Sequence, residues 1–380
     1  MVVSLRSELK AAGRKNKKSS ENSIDYTFLV IILMLLAFGL VMVFSASSAS
    51  AHYIQGDATY FFKRQLLWAI LGLISMFAMS KIPYKVLYRY TNLLFVGSIV
   101  LLLLVPIIGV DSNGAKRWLG VGPVTFQPSE VAKLTVIIFL AKAISRDPNS
   151  VNQFKKGFLK YLGIVVIVAG IVLIEPHMSG AMVIMLVGCA VLFVAGFKGI
   201  YFAGMASLAI PAAIALAVFS PYRLKRVTSF LNPFADKLGD SWQIVQSLYA
   251  IGSGGLFGLG LGQSRQKFLY IPEPQTDFIY SIICEELGFV GAVFVILLFA
   301  LLIWKGIVIA RKAPDVFSSL TVSGIIALVA VQVLMNIAVV TSTMPVTGIP
   351  LPFFSYGGSS ILFLLTEMGI VLNISRYTAK

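Results

Sequence analysis

Residues 221–280 read PYRLKRVTSFLNPFADKLGDSWQIVQSLYAIGSGGLFGLGLGQSRQKFLYIPEPQTDFIY, the one long polar stretch in an otherwise hydrophobic chain. Six basic residues are concentrated in it: Arg223, Lys225, Arg226, Lys237, Arg265 and Lys267. The stretch closes on PEPQTDF at 272–278, so the carboxylate of Asp277 stands where a new apolar run begins. We therefore expect a large polar loop held between membrane-spanning segments.

The composition of the whole chain is typical of a membrane protein. Of the 380 residues, 58% are hydrophobic and only 12% are charged. Apolar runs long enough to cross the ~30 Å hydrocarbon core of a bilayer recur along the chain, and the short alternating segments of a barrel are not seen. The predicted fold class is an all-α polytopic membrane protein.

Ten membrane spans are predicted from the apolar runs. They lie at residues 26–46, 65–80, 91–109, 128–145, 159–174, 179–196, 200–219, 280–304, 317–341 and 352–374. Basic residues cluster after the even-numbered spans and in residues 1–25, so both termini are predicted to be cytoplasmic. We interpret residues 1–25 as a basic cytoplasmic tail and residues 26–380 as one membrane domain, with residues 220–279 as its large outer loop between helices 7 and 8.

Several other classes of protein do not fit this chain. A net charge of +15 suggests nucleic acid in a soluble protein, but here cytoplasmic loops and anionic lipid explain it. Cys189 and Cys284 both lie in apolar runs, so no disulfide framework is expected. With His52 and His177 as the only histidines, we expect no zinc site built by the protein.

The predicted topology places the basic residues of the large loop on the outer side of the membrane. Short loops on that side usually carry few positive charges. A long loop is partly exempt from this rule, so one interpretation gives the charges no function. The other is an anion site at the outer leaflet for a ligand that carries phosphate. The glycine-rich run 252–262 lacks the spacing of a nucleotide site and is interpreted as a tight turn or a close helix approach.

Ionisable residues inside membrane spans are costly and are therefore candidates for function. Glu130 and Lys133 stand three residues apart on one helical face, either as a structural ion pair or as part of a site. Gln332 and Asn336 are expected to form hydrogen bonds between helices. His177, in a short turn, is interpreted as a solvated loop residue.

Asp277 stands at the first turn of the eighth predicted span. One interpretation is a carboxylate that caps the free amides at the start of the helix, and the other is a general base. Glu285 lies about 80° from Asp277 around that helix, whereas Glu286 points to the opposite side. Of these two glutamates, only Glu285 is expected to share a cavity with Asp277.

Several motifs in the chain together resemble the shape, elongation, division and sporulation (SEDS) family, which comprises FtsW, RodA and SpoVE. The matching motifs are GLVMVFSAS at 39–47, NGAKRW at 113–118, QPSE at 127–130 with Lys133, PYR at 221–223 with KR at 225–226, GLGQS at 260–264, PEPQTDFI at 272–279, EELG at 285–288, PVTGIP at 345–350 and SYGGSS at 355–360. Gln275, where RodA-like members carry histidine, indicates the FtsW and SpoVE branch.

The resemblance implies a ten-helix fold that polymerises lipid II into glycan strands at the outer face of the bacterial cytoplasmic membrane, for septal or spore wall synthesis. It implies that Asp277 is essential and that undecaprenyl diphosphate is released. It also implies a class B penicillin-binding transpeptidase and division or sporulation membrane proteins as partners. The chain departs from the family at 175–180, where EPHMSG replaces a Pro-Asp-Leu-Gly-Thr motif, so the resemblance assigns no role to that turn.

The chemistry implied by the resemblance fits an inverting transfer. Asp277 would take the proton of the acceptor sugar hydroxyl, and cations would stabilise the departing diphosphate, with Mg²⁺ or Mn²⁺ as a candidate helper. The candidate diphosphate ligands are Lys116, Arg117, Arg223, Lys225, Arg226, Arg265 and Lys267. Trp118 and Phe278 would line the sugar or lipid groove, although anchoring at the membrane interface explains these aromatics equally well. Glu130, Lys133 and Glu285 would support the site.

Two other functions remain open at this point. A flippase for lipid II would need a polar path to the cytoplasmic side, and the candidate residues for such a path are scattered. A scaffold without catalysis would recruit division or sporulation proteins. Replacing Asp277 by glutamate distinguishes the enzyme from the scaffold if activity is lost while partner binding is kept.

Overall fold

The fold is described by a computed structural model covering residues 23–112, 115–121, 124–218, 230, 232–234, 239, 241–268 and 270–378. Eleven α-helices lie in these residues: α1 (Tyr26–Gln55), α2 (Tyr60–Lys81), α3 (Tyr84–Ile108), α4 (Pro128–Arg146), α5 (Lys160–Ile174), α6 (Met178–Ala195), α7 (Gly199–Val218), α8 (Trp242–Ser253), α9 (Ile279–Arg311), α10 (Val316–Val340) and α11 (Gly358–Ser375). A 3₁₀ turn (Pro148–Asn152) and a π-helical turn (Phe154–Leu159) connect α4 to α5.

Every predicted span coincides with a helix, and α8 is an additional short helix inside the predicted large loop. Eight helical segments are long and apolar enough to cross a membrane: α1, α2, α3, the segment Phe154–Ile174 that contains α5, α6, α9, α10 and α11. The predicted class, a polytopic helical membrane protein, is therefore confirmed. The count of ten stays a prediction, because α4 and α7 are not among the eight.

The centre of the helix bundle is formed by α10, which packs against α4, α6 and α9. The most extensive contact between two helices joins α2 to α11, and α1 packs on α2 and α9. Helices that are apolar on every side bury part of their surface against other helices, and lipid covers the remainder. Accordingly, α3 leaves Leu93 and Ile107 exposed while it buries Leu102.

A small antiparallel sheet, which the sequence did not predict, connects α3 to α4. Its strands are β1 (Val110–Ser112), β2 (Ala115–Val121) and β3 (Val124–Phe126), in the order β1-β2-β3. Val110 pairs with Trp118, and Leu119 pairs with Phe126. Strands this short carry no recognisable alternation of apolar and polar residues, which is the signal that sequence analysis uses.

Helix α9 is broken at Gly288, whose φ of 65° and ψ of −164° are not helical. At this break the backbone of α9 forms hydrogen bonds with the glycine-rich segment after α8. The four bonds, of 2.9 to 3.1 Å, run from Leu259 N–H to Glu285 O, Gly260 N–H to Glu286 O, Phe289 N–H to Gly255 O and Val290 N–H to Leu256 O. A Cβ at Gly258 would overlap the backbone of Glu286. The predicted close approach of this segment to a helix is confirmed, and it satisfies backbone groups that lipid cannot.

Candidate active site

A cavity of about 690 Å³ opens at one end of the bundle. Its walls come from α2, β2, α4, α6, the start of α11 and the loops before α9 and α11. Seven carboxylate, imidazole or cationic side chains line it: Arg64, Arg117, Glu130, Lys133, His177, Glu273 and Asp277. The cavity therefore brings a candidate base and several cations together in one enclosed space.

Asp277 lies in the cavity wall, in the loop directly before α9. The residue at the N-cap of α9 is Phe278, and no side chain caps the helix. The interpretation of Asp277 as a helix cap is therefore wrong. Among the residues that the structure describes, none donates a hydrogen bond to the Asp277 carboxylate or forms an ion pair with it.

The backbone around Asp277 is held from two sides. The Asn336 side chain in α10 donates one hydrogen bond of 2.8 Å to the Asp277 carbonyl and another of 2.8 Å to the Ile349 carbonyl. Asn336 thus joins two loops, whereas a hydrogen bond between helices was predicted. Gly348, in the second loop, lies so close that a Cβ on it would be 3.2 Å from Asp277 Oδ2.

A second set of hydrogen bonds fixes the residues just before Asp277. The Ser355 hydroxyl donates to the Thr276 carbonyl at 2.6 Å, and the Tyr356 N–H donates to the Gln275 carbonyl at 2.8 Å. Gln65 of α2 donates in turn to the Ser355 carbonyl at 3.2 Å. Because these bonds use only carbonyl oxygens of the loop, the Asp277 carboxylate stays free to react.

The surroundings of Asp277 suit a general base. Burial, and secondarily the nearby Glu273 carboxylate, raise the pKa of Asp277 to about 6. A base with a pKa close to the working pH is ionised and still has a substantial affinity for a proton. A perturbed carboxyl in a cavity is also a general indicator of a functional site.

The cations of the cavity lie on β2, α4 and α2. Lys133 forms a buried ion pair of 2.7 Å with Glu130, and both residues line the cavity. The two interpretations of this pair are therefore compatible. Arg117 donates to the Pro176 carbonyl at 2.7 Å, and Trp118 beside it also lines the cavity.

Arg64 in α2 is a cavity residue that sequence analysis missed. Its Nη1 lies 2.8 Å from the Tyr60 hydroxyl, and its guanidinium lies 5.4 Å from the centre of the Tyr60 ring. Arg64 immediately precedes the predicted second span, and this position is the feature of the sequence that could have indicated a role for it. A cation at a helix end is too common in membrane proteins to single out without the fold.

His177 is a second cavity residue whose position differs from the expectation. The interpretation as a solvated loop residue is wrong, because the ring lies in the cavity wall with Nδ1 3.2 Å from Gln127 Nε2 and 3.3 Å from Ser129 Oγ. Burial, followed by the positive charges of Lys133 and Arg117, lowers its pKa to about 3. His177 is therefore a neutral imidazole near neutral pH.

The structure does not bring the other predicted residues into this cavity. Lys116 and Arg265 are exposed and do not line the cavity, and the Phe278 ring is buried behind it. Lys267 is buried and forms an ion pair of 3.0 Å with Glu286. The predictions for Arg223, Lys225 and Arg226 fall outside the described residues, as does Lys237.

Glu285 does not share the cavity with Asp277, contrary to the expectation. Its carboxylate accepts hydrogen bonds from the backbone N–H groups of Arg265 and Gln266, at 2.9 and 3.4 Å, and from the Ser264 hydroxyl. The break in α9 brings this loop over the carboxylate. A regular helical projection of the sequence cannot anticipate that contact.

A metal site built by the protein is not formed by the described part of the chain, since no three histidine, cysteine, aspartate or glutamate side chains converge there. Within the described part of the chain, Glu273 and Asp277 are the two cavity carboxylates that form no ion pair.

Fold and cavity together define a multi-pass membrane protein with a charged site built from helix ends and loops. The chain belongs to the FtsW/RodA/SpoVE family, described as cell cycle proteins, whose model matches residues 26–380. The resemblance seen in the sequence motifs is thus confirmed.

Curated relatives match nearly the whole chain. Stage V sporulation protein E of Bacillus subtilis (strain 168) is 46% identical over 362 residues, covering 95% of this chain and 99% of that protein. The probable peptidoglycan glycosyltransferase FtsW of Trichlorobacter lovleyi is 42% identical over 353 residues, covering 92% of this chain and 93% of that protein. Both support the FtsW and SpoVE branch.

Solved structures share the fold. A chain of a peptidoglycan synthase complex, described as coordinating polymerization and crosslinking, matches with a TM-score of 0.78 and 31% identity, covering 93% of this chain and 98% of that one. The rod shape determining protein RodA of Thermus thermophilus matches with a TM-score of 0.70 and 28% identity, covering 94% of this chain and 98% of that one.

Proposed function

We propose that the chain is a peptidoglycan glycosyltransferase that polymerises lipid II into glycan strands at the outer face of the bacterial cytoplasmic membrane. Relatives named as peptidoglycan glycosyltransferases support this activity. The observation that carries it for this chain is Asp277, a cavity carboxylate whose pKa is about 6 and whose oxygens have no cationic partner among the described residues.

In the proposed reaction, Asp277 is the general base. Its carboxylate accepts the proton from the 4-hydroxyl of the acceptor sugar, and the resulting oxygen nucleophile attacks the anomeric carbon of the donor. The bond from that carbon to the diphosphate oxygen breaks, and its electron pair leaves with undecaprenyl diphosphate. A single displacement of this kind inverts the anomeric centre.

The leaving group explains why one carboxylate is enough. A retaining enzyme needs a nucleophile and an acid, whereas a diphosphate departs as an anion and needs positive charge in place of a proton. Arg117 and Arg64 line the same cavity as Asp277 and supply that charge, whereas Lys133 is already paired with Glu130. Of the cations first considered, Arg117 is the described one that the cavity supports, while Lys267 is held by Glu286.

The location and the partners are part of the same proposal. We place both termini on the cytoplasmic side and the cavity on the outer side of the inner membrane, and the prediction for residues 1–25 falls largely outside the described residues. A class B penicillin-binding transpeptidase would crosslink the product, in keeping with a relative that is part of a synthase complex for polymerization and crosslinking. Septal and spore wall synthesis are both compatible with the relatives.

The test is glycan polymerisation from purified lipid II by the chain with its cognate transpeptidase. Asp277→Asn keeps the size of the side chain and removes the base, so we expect the rate to fall by about 10²- to 10⁴-fold. The matched control is Asp57→Asn. Asp57 lies in the loop before α2, does not line the cavity, and forms a solvent-exposed ion pair with Lys63. We expect this variant to polymerise at the wild-type rate.

Two results would contradict the proposal. If Asp277→Asn, folded as well as wild type, still makes polymer, the base is another residue. A second result would be that neither protein makes polymer although the complex with the transpeptidase is intact. If labelled lipid II then crosses the membrane of proteoliposomes, the protein is better described as a lipid II flippase than as a glycosyltransferase. A variant Asp277→Glu that retains both polymerisation and partner binding would argue against a precisely placed base.

A further inference from the structure

Several helices begin at the wall of the cavity, and three of them are α4, α6 and α11. The first turn of a helix has backbone N–H groups without partners inside the helix, and it carries a partial positive charge. Such a helix end attracts anions, and phosphate most of all. The three helix ends differ in what covers them.

The starts of α4 and α6 are already covered by side chains of this protein. In α4, Glu130 places a carboxylate in the first turn and pairs with Lys133. In α6, the His177 ring lies against Gly180, and the Ser179 hydroxyl donates to the Thr347 carbonyl. The start of α4 thus carries a carboxylate, whereas that of α6 has no acidic residue in its first turn and no side-chain cap but has the His177 ring packed against it.

The start of α11 is not covered in this way. It has no acidic residue in its first turn and no side chain that caps it. The Gly357 N–H donates to Gln65 Oε1 at 3.1 Å, and the Ile361 N–H donates to the Gly357 carbonyl at 3.0 Å. Between these two, the N–H groups of residues 358–360 have no hydrogen-bond partner within the described chain.

A buried hydroxyl adds a donor at the same place. Ser359 is 1% exposed, lines the cavity, and its Oγ has no hydrogen-bond partner among the described residues. A buried polar atom without a partner is rare in a native structure, because it loses its hydration without compensation. Ser360 also lines the cavity, one residue further along. This unpaired hydroxyl is an observation independent of the helix end.

The helix that packs against these donors carries a cation that also lines the cavity. A Cβ at Gly358 would overlap the Trp68 indole, so the start of α11 is pressed against α2. Arg64 lies one helical turn before Trp68 on the same face of α2, and both line the cavity. The free amides, the Ser359 hydroxyl and the Arg64 charge therefore belong to one wall.

We infer that the start of α11, residues 357–360, is the subsite that binds the diphosphate of the polyprenyl-linked substrate and product. This inference rests on the proposed function, and it assigns the leaving group to a particular place in the cavity. The amides and the Ser359 hydroxyl donate to phosphate oxygens, and Arg64 balances the charge. Asp277, on the loop before α9, has a separate role as the base.

The test is direct binding of undecaprenyl diphosphate to the full-length chain in phosphatidylcholine nanodiscs, with undecaprenol as the uncharged comparison. We expect wild type to bind the diphosphate at least about tenfold more tightly than the alcohol, since hydrogen bonds to charged groups are the strong ones. This ligand carries no sugar and no peptide, so a preference for it reports the phosphate group alone.

The variant with the largest expected effect is Ser360→Asp, which places a carboxylate in the first turn of α11. A negative charge there favours the helix, so thermal stability should not fall, but it repels phosphate. We expect diphosphate affinity to drop by about 10- to 100-fold, and Ser359→Ala to weaken it by about tenfold. Gln55→Glu adds the same charge at an exposed position of α1 outside the cavity and should leave affinity unchanged.

Three results would overturn the subsite. The first is an affinity of Ser360→Asp within twofold of wild type, and the second is an equal loss in Gln55→Glu. The third is displacement of the diphosphate by an equimolar amount of phosphatidylglycerol, because the site would then be one for general lipid phosphate.

The binding measurement is separable from the test of the enzyme. Asp277→Asn removes a negative charge, so it should bind undecaprenyl diphosphate at least as tightly as wild type while it makes no polymer. If wild type makes no polymer but Ser360→Asp still loses diphosphate affinity, the proposed function fails and the phosphate subsite stands. If Asp277→Asn behaves as expected but Ser360→Asp binds normally, the enzyme stands and the subsite fails.

Discussion

Asp277 and Glu286 lie close together in the chain, on either side of the first turn of α9, yet they have opposite surroundings. Asp277 faces the cavity, and no donor within the described residues satisfies its carboxylate. Glu286 is fully buried and accepts hydrogen bonds from Ser45 Oγ at 2.6 and 2.8 Å, from Lys267 Nζ at 3.0 Å and from the Ser264 N–H at 3.3 Å.

The difference shows how one type of side chain can serve catalysis or stability. A buried carboxylate that is fully hydrogen-bonded and paired has a low affinity for a proton of the substrate. A carboxylate that is partly desolvated and unpaired has a raised pKa and remains available. Lys133 and Lys267 are both buried and paired with a glutamate, and they differ in that only Lys133 lines the cavity.

The largest effect on stability is expected at Glu286. Glu286→Gln leaves the buried Lys267 ammonium without its counter-charge, and breaking a buried pair costs about 3 to 5 kcal/mol. Asp277→Asn should not lower stability, because it removes a charge that the fold does not satisfy. Thermal unfolding of both variants in the same detergent measures the difference.

A double variant sharpens this comparison. Lys267→Met in the Glu286→Gln background removes the uncompensated charge, so part of the lost stability should return. If Glu286→Gln and Asp277→Asn have the same melting temperature, the contrast between the two carboxylates is wrong.

The next effect is the pH dependence of polymerisation. The base acts in its ionised form, so activity should rise as the pH increases through the raised pKa of Asp277, about 6, and then level off. Below that pKa the rate should fall about tenfold per pH unit. A steady-state profile of kcat/KM from pH 5 to 8 tests this, and a rate that is constant down to pH 5 would exclude Asp277 as the base.

The smallest expected effect concerns Glu273, the second contributor to the raised pKa of Asp277. Glu273→Gln removes a neighbouring negative charge, so the pKa of Asp277 should decrease and the acid limb of the profile should move to lower pH. Burial remains the larger cause, so the shift should be less than about one pH unit. A profile that moves to higher pH would show that Glu273 acts in another way.

The helices were predictable from the sequence, and so was the position of Asp277 directly before one of them. Apolar runs report burial in lipid directly, so every predicted span coincides with a helix. Asp277 was recognisable because it stands alone, after two prolines, at the border between a polar loop and an apolar run. The β-sheet before α4 was missed because its strands are too short to show a period.

The cations were predicted less well. Basic residues of a long polar loop look alike in sequence, but Lys267 is buried against Glu286 while Arg117 lines the cavity. Arg64 and His177 belong to the cavity although they stand on segments far apart in the chain. Which charged residues meet is decided by packing between distant segments, and no local pattern reports it.

The sequence by itself determined that this chain crosses a membrane several times and carries a carboxylate at a helix border, because hydropathy and prolines act locally. Only the tertiary structure decided which carboxylate is free, which lysine is paired, and that the start of α11 lies open in the cavity wall. Those outcomes depend on the break at Gly288 and on the hydrogen bonds of Gln65 and Asn336. Each of these contacts joins residues that only folding brings together.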